Sequence, residues 1–166
     1  MDSDLQQKLY DEYPEIFAQK DLPMTQTAMC WGIATGDGWY EILNNVCFLI
    51  QQRVRSPHET IELYEKWISE ESDEDRINYL KEIIEKEKEK IISVQFVQVK
   101  EKFGTLRIYH TGKGDDPYVD GVISMAESMS GITCEQCGNK GNLRTKGWHH
   151  TLCDRCRVIR FSRELP

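Results

Sequence analysis

ISVQFVQVKEKFGTLRIYH, residues 92–110, decides the fold class. On either side of it apolar residues recur at helical spacing. Within it the period drops to two, which predicts a β-hairpin with strands near 92–101 and 105–110, turning around Phe103-Gly104. A mostly helical body interrupted by an antiparallel hairpin belongs to the α+β class. Alternation places Lys100 and Lys102 on one face of the first strand, and Arg107 and Tyr109 on one face of the return strand. Beside Phe103, these four residues have the chemistry to hold a phosphate, a carboxylate or a base stacked on a ring. The competing reading is a solvated strand end whose charges protect a sheet edge.

Towards the N-terminus the pattern is helical. Leu5, Leu9, Tyr13, Ile16 and Phe17 predict one or two short helices over 4–19, broken at Pro14. Residues 20–38, with Pro23, Gly32, Gly36 and Gly38, read as a loop anchored by Met29, Trp31 and Ile33. Asp37 then caps a helix over about 39–55 that buries Trp39, Ile42, Leu43, Val46, Leu49, Ile50 and Val54. Ser56-Pro57-His58-Glu59 has the form of a capping box with proline at the first helical position. It predicts a separate helix to about 69, burying Ile61, Tyr64, Trp67 and Ile68. Ser72 opens another, to about 90, on Ile77, Leu80, Ile83 and Ile84. The acidic run Glu70–Asp75 is either a solvated turn between helices or a phosphate mimic for a basic partner.

Towards the C-terminus, Asp116-Pro117 starts a helix to about 130 with Val119, Val122, Ile123, Ala126 and Met129 as its buried stripe. CEQCGNKGNLRTKGWHHTLCDRC, residues 134–156, then carries two CxxC pairs separated by fifteen residues. Cys134, Cys137, Cys153 and Cys156 match tetrahedral zinc, each pair presenting two sulfurs to one ion. Gly138 permits the left-handed turn that aims backbone amides at sulfur. Asn142–Lys146 and Trp148–Leu152 form a hairpin around Gly147, onto which Trp148 and His150 are expected to pack. Val158, Ile159 and Phe161 suggest a helix from the second pair onward. The knuckle, hairpin and helix resemble a treble-clef zinc finger. Disulfides, an iron–sulfur cluster and a redox CxxC fit compartment or spacing less well. Four cysteines leave no open position for water, so the expected role is one structural Zn²⁺. The predicted organisation is a body over 1–131 and a zinc module over 132–166 packed on it. Cys30 and Cys47 fall among apolar residues and read as inert core thiols.

The 166 residues, 39% hydrophobic and 30% charged, suit one globular domain or a domain with a small appendage. No run approaches the ~20 apolar residues of a membrane span, and the N-terminal MDSDLQQ lacks the plan of a secretory signal. The expectation is neither a membrane nor an exported protein. Net charge is −7, but residues 134–166 hold seven Lys/Arg against three Asp/Glu, a net of +4, leaving −11 on residues 1–133. Nucleic acid would therefore meet only the C-terminal end, through Arg144, Lys146, Arg155, Arg157 and Arg160. Gly36-Asp37-Gly38-Trp39 offers amides at a helix start, where Asp37 favours capping over anion binding. Gly112-Lys113-Gly114 lacks the rest of a phosphate loop and reads as a turn. His58, His110, His149 and His150 fall in no nucleophile, metalloprotease or paired-carboxylate motif, so no enzyme is expected.

Four stretches, MCWGIATGDGWYEIL (29–43), VQVKEKFGTLRIYH (97–110), ISMAESMSGITCEQCG (123–138) and GWHHTLCDRC (147–156), carry a wider likeness. Through them the chain resembles a group of small proteins common in bacteriophage and prophage genomes. The resemblance implies a phage accessory protein acting in the cytoplasm of a bacterial host, an origin rather than a mechanism. By analogy with accessory proteins of this size, it implies binding and inhibiting, or sequestering, a host-defence component. The target would be a protein or a small anionic signal held at the hairpin. A nucleic-acid-binding regulator is the alternative, and an enzyme with an unrecognised site the third reading.

Overall fold

The computed structural model describes residues 1–162, so Arg163 and Glu164 of the basic tail lie outside the described residues. Helix α1, Ser3–Glu12, starts on Asp2, whose carboxylate accepts the Asp4 N–H at 2.9 Å. It ends before Pro14, and a series of turns drops Tyr13, Ile16 and Phe17 into the core. Residues 27–35 run as a strap beside the hairpin, with a short 3₁₀ turn at Met29–Trp31 and a second just after the strap at Asp37–Trp39. Met29 and Ile33 anchor it as expected, but Trp31 is exposed. Thr27, Met29, Ile33 and Thr35 point into the protein, while Trp31 and Ala34 are exposed.

Helix α2 is one element, Tyr40–Glu70, of 31 residues with Pro57 inside it. At 1.5 Å per residue it is about 46 Å long. The capping-box reading at Ser56-Pro57 is thus corrected. Proline at 57 withholds the hydrogen bond to the Arg53 carbonyl and crowds that carbonyl with its ring, but its fixed φ suits a helix. The Thr60 hydroxyl donates to the Ser56 carbonyl at 2.9 Å, and Pro57 is itself buried. Helix α3, Glu74–Lys88, packs back on α2 and is capped by Asp73 rather than Ser72. The Asp73 carboxylate accepts the N–H groups of Asp75 and Arg76. The far half of α2 has α3 as its neighbour, so its buried stripe is narrow; Trp67 and, nearer the body, Leu49 are exposed against expectation.

Strands β1, Gln95–Lys102, and β2, Thr105–Thr111, pair antiparallel with Lys102 opposite Thr105 and Lys100 opposite Arg107. Phe103 and Gly104 both take positive φ, 55° and 79°, which is the type I′ geometry that follows strand twist. Two strands alone are marginal and expose two edges. Here both edges are closed by other parts of the chain. On the β1 side, Ala34 donates to Val99 at 2.9 Å and accepts from Glu101 at 2.9 Å, while Ala28 donates to Val97. On the β2 side, side chains of helix α4, Pro117–Ser130, do the same work: Ser130 Oγ accepts from Leu106 at 2.8 Å and Glu127 Oε1 from Ile108 at 3.1 Å.

Helix α4 begins on Asp116, which accepts from Tyr118 and Val119 and pairs with Arg53 of α2 at 2.7 Å. It buries Val119, Ile123 and Ala126 between α2 and β2, whereas Met129 is exposed beyond the reach of either. The core joins Leu9, Phe17, Trp39, Leu43, Ile50, Phe96, Val99 and Leu106, with the Phe17 and Phe96 rings edge-to-face at 5.4 Å. Cys47 lies inside it, and burial pushes its thiol pKa up. Cys30 is only half-buried. A second small hairpin, β3 Asn142–Arg144 with β4 His150–Leu152, and helix α5, Asp154–Ser162, complete an α+β fold. Among the described residues no helix is long and apolar enough to cross a membrane.

Candidate metal centre and the cleft beside it

Cys134 follows α4, Cys137 lies one knuckle turn later, Cys153 immediately precedes α5 and Cys156 is in its first turn. The four sulfurs all lie within 4.8 Å of one another. Cys137 Sγ and Cys153 Sγ are 3.8 Å apart. A tetrahedron with metal–sulfur bonds of about 2.3 Å has edges of about 3.8 Å, whereas a disulfide requires about 2.05 Å. The donor set therefore fits a metal ion, and all the cysteines are free thiols.

Local sequence builds the cage. Gly138, at φ 73°, closes the knuckle by donating to the Cys134 carbonyl at 2.9 Å. The Cys156 N–H points at Cys153 Sγ at 3.4 Å, and the Asn139 amide at Cys137 Sγ at 3.4 Å. The backbone N–H of Asn139 brings the Cys137 thiol down to about 7, while burial pushes Cys134 and Cys156 up. Four sulfurs this close cannot all carry negative charge unless a cation lies among them.

The cage is fixed to the body by the glycine-rich loop. Gly38 donates to the Glu135 carbonyl at 2.7 Å, Gly36 to its carboxylate at 3.0 Å, and the Trp39 indole to the Thr133 carbonyl at 2.8 Å. A Cβ at Gly38 would lie 2.1 Å from the Cys134 carbonyl oxygen, so only glycine permits this approach. Asp37 does not cap α2, which has no side-chain cap; it accepts the Asp2 N–H at 2.6 Å and so ties down the N-terminus. Burial raises the Glu135 carboxyl, against the opposing Gly36 N–H. The tip of the β1–β2 hairpin docks on the other side. The Thr151 hydroxyl donates to the Gly104 carbonyl at 2.6 Å, and a Cβ on Gly104 would come within 2.5 Å of Leu143 Cδ1.

Between the two hairpin tips lies a cleft of about 480 Å³ lined by Lys100, Glu101, Lys102, Phe103, Gly147, Trp148 and His149. Lys100 Nζ lies 5.3 Å from the Tyr109 ring centre and Lys102 Nζ 5.5 Å from that of Phe103. Phe103 meets His149 edge-on at 6.0 Å. Of the predicted anion-binding group, Lys100 and Lys102 line the cleft and Tyr109 supports Lys100. Arg107 is drawn away, donating to Thr105 Oγ1 at 2.7 Å and approaching Glu127 of α4 at 3.8 Å. Trp148 and His149 carry no sequence signal for this cleft, because nothing local shows that two distant turns meet. Trp148 does not pack on its own module as expected: it is 75% exposed. Its neighbour His150 is buried.

The predicted nucleic-acid set also divides. Arg144 is bonded to Asp154 at 2.5 Å and lines a second cleft with Lys146 and Arg157. Arg155 is exposed outside both clefts, and Arg160 is half-buried, close enough to Glu135 to stabilise its charge. His110 faces Asp120 at 3.5 Å at the far end of β2, and His58 is exposed on α2. The chain matches no family model, no curated protein and no solved structure.

Proposed function

We propose that this chain is a non-catalytic binding protein in which a four-cysteine zinc module of treble-clef type serves as scaffolding. It captures an anionic ligand in the cleft between the two hairpin tips. In the phage setting its resemblance implies, it acts in the host cytoplasm by sequestering a component of host defence. The observation that carries this reading is the cleft, where Lys100 and Lys102 stand over aromatic rings instead of carboxylates. Zinc, bound by Cys134, Cys137, Cys153 and Cys156, would supply rigidity and no chemistry, because four thiolates fill its coordination sphere. Binding falls to this chain's own residues: Lys100 and Lys102 attract the charge, and Phe103 and Trp148 offer flat faces to an aromatic part of the ligand.

Elemental analysis is expected to find one zinc per chain. Calorimetry against a panel of nucleoside mono-, di- and triphosphates is expected to show binding that a Lys100→Ala/Lys102→Ala double variant loses. A panel without any binder overturns the reading, as does binding unaffected by both substitutions.

A further inference from the structure

Trp148 lines not one cleft but two. Beyond the first, a second of about 440 Å³ is formed by Trp148 with Leu143, Arg144, Lys146 and Arg157. Each cavity falls within the roughly 300–1,000 Å³ that takes a small ligand. The indole between them is 75% exposed and Phe103 is 65% exposed, so both rings stand open to a ligand entering the clefts.

Most of the cations around these rings are uncommitted, with Glu101 the one carboxylate in the lining of the first cleft. Among the described residues, Lys100, Lys102, Lys146 and Arg157 form no ion pair with a carboxylate. Arg144 is paired with Asp154, yet its Nε is buried without a hydrogen-bond partner among the described residues. Ring, cation, ring, cation in succession is the arrangement that tracks a single nucleic-acid strand, stacking its bases and neutralising its phosphates. A duplex carries one charge per ~1.7 Å of axis, and the net charge of −11 on residues 1–133 opposes it more than a short strand. A short single strand can stay within the two clefts.

We infer that the two clefts are one groove for a single-stranded oligonucleotide of at least two residues, with Trp148 as the stacking platform between them. One phosphate is met by Lys100 and Lys102, and the next by Lys146 and Arg157. This deepens the proposed function and rests on its reading of the first cleft as a ligand site.

The test uses the full zinc-loaded chain and a fluorescent oligothymidylate of about eight nucleotides, within the ~4–16 that a small single-strand-binding fold covers. Thymidine monophosphate, a duplex, the matching oligouridylate and polyglutamate are the comparison ligands. The oligomer is expected to bind more tightly than the monophosphate and to quench tryptophan emission. The logarithm of its affinity should fall with that of salt at a slope of about −1.4 or steeper, the value for two phosphates at ~0.7 each. Trp148→Ala should weaken binding by roughly 5- to 150-fold, the range for losing one stacked base, and Arg157→Ala should flatten the salt slope. Lys88→Ala, on α3, should change neither. Oligouridylate binding as well as oligothymidylate supports a groove open to RNA and DNA, and preference for either assigns the source of the strand. An oligomer no tighter than the monophosphate, with Arg157→Ala silent, overturns the groove while leaving the first cleft as a ligand site. Polyglutamate or duplex binding equal to the strand also overturns it. If neither monophosphate nor oligomer binds, both proposals fall.

Discussion

The body and the C-terminal module hold together by different means. Residues 1–131 close around one continuous apolar cluster that draws side chains from α1, α2, both strands of the long hairpin and α4. Residues 132–162 bury little that is apolar beyond Leu152 and the thiol of Cys134, while Val158, Ile159, Ile132 and Leu143 remain in water. A module this thin cannot offset its own conformational entropy by burial and must be stapled from within. The cleft takes one wall from each region. A ligand bound there would depend on a surface that the core supports and on one held by the cysteine cage and its few seams with the body.

The largest expected effect comes from breaking that dependence at the metal. Apparent binding free energies of structural zinc are roughly 10–16 kcal/mol near neutral pH, far above what the module's apolar contacts supply. Chelation, or Cys153→Ser, should therefore unfold the region after 132 and abolish ligand capture while α1 to α4 stay folded. Amide exchange should show fast exchange in β3, β4 and α5 with retained protection in α2. Uniform protection in protein shown to be metal-free would mean that the two regions are not stabilised differently.

Phe96→Ala strikes the other partner. Phe96 is fully buried and edge-on to Phe17, so truncation should cost roughly 3–5 kcal/mol in urea melts. The loss should be global, because the module rests on the hairpin that Phe96 anchors. Gly38→Ala tests the seam between the regions. Its Cβ would meet the backbone carbonyl of Cys134, which cannot swing aside like a flexible side chain. We expect about 1–3 kcal/mol of destabilisation together with weaker metal retention in competition with a chelator. A drop in stability without any change in metal retention would show the seam to be mere packing.

The smallest effect lies farthest from both. Glu71, between α2 and α3, accepts the N–H groups of Ser72 and Asp73, and these hold its carboxyl below the usual range. A depressed folded-state pKa stabilises above the unfolded value and loses that contribution as pH falls through the folded one. Glu71→Gln should therefore lower Tm slightly at neutral pH, with the difference from the parent vanishing on acidification. A difference that persisted at acid pH would point to shape rather than charge.

Much of this architecture is legible in residues near one another in the chain. Asp116-Pro117 caps α4, Phe103-Gly104 forms the tight turn, and the CxxC spacing gathers four sulfurs. In the first two the partners lie within a few residues, and in the third two local pairs are joined by one short hairpin, so spacing and backbone preference settle the geometry. The helix break expected at Pro57 fails for the opposite reason. A local propensity of a few kcal/mol yields to the packing of α2 on α3 and to the burial of the proline ring. Asp37 misleads in the same way: its carboxylate could cap a helix, but the Asp2 amide, distant in sequence, reaches it first.

Short-range information in the chain is thus enough to say that a long hairpin follows a helical body, where that hairpin turns and which thiols can share one cation, but not where each helix ends. Those outcomes depend on bonds and periodicities spanning a handful of residues. Long-range packing alone makes Gly38 press on the knuckle, joins two hairpin tips through Gly104 and Thr151, and turns Arg107 to Glu127 while Lys100 and Lys102 stay beside Trp148. Each of those contacts joins distant chain positions brought together by core burial, a force without direction whose periodic mark shows which face is buried but not what it meets.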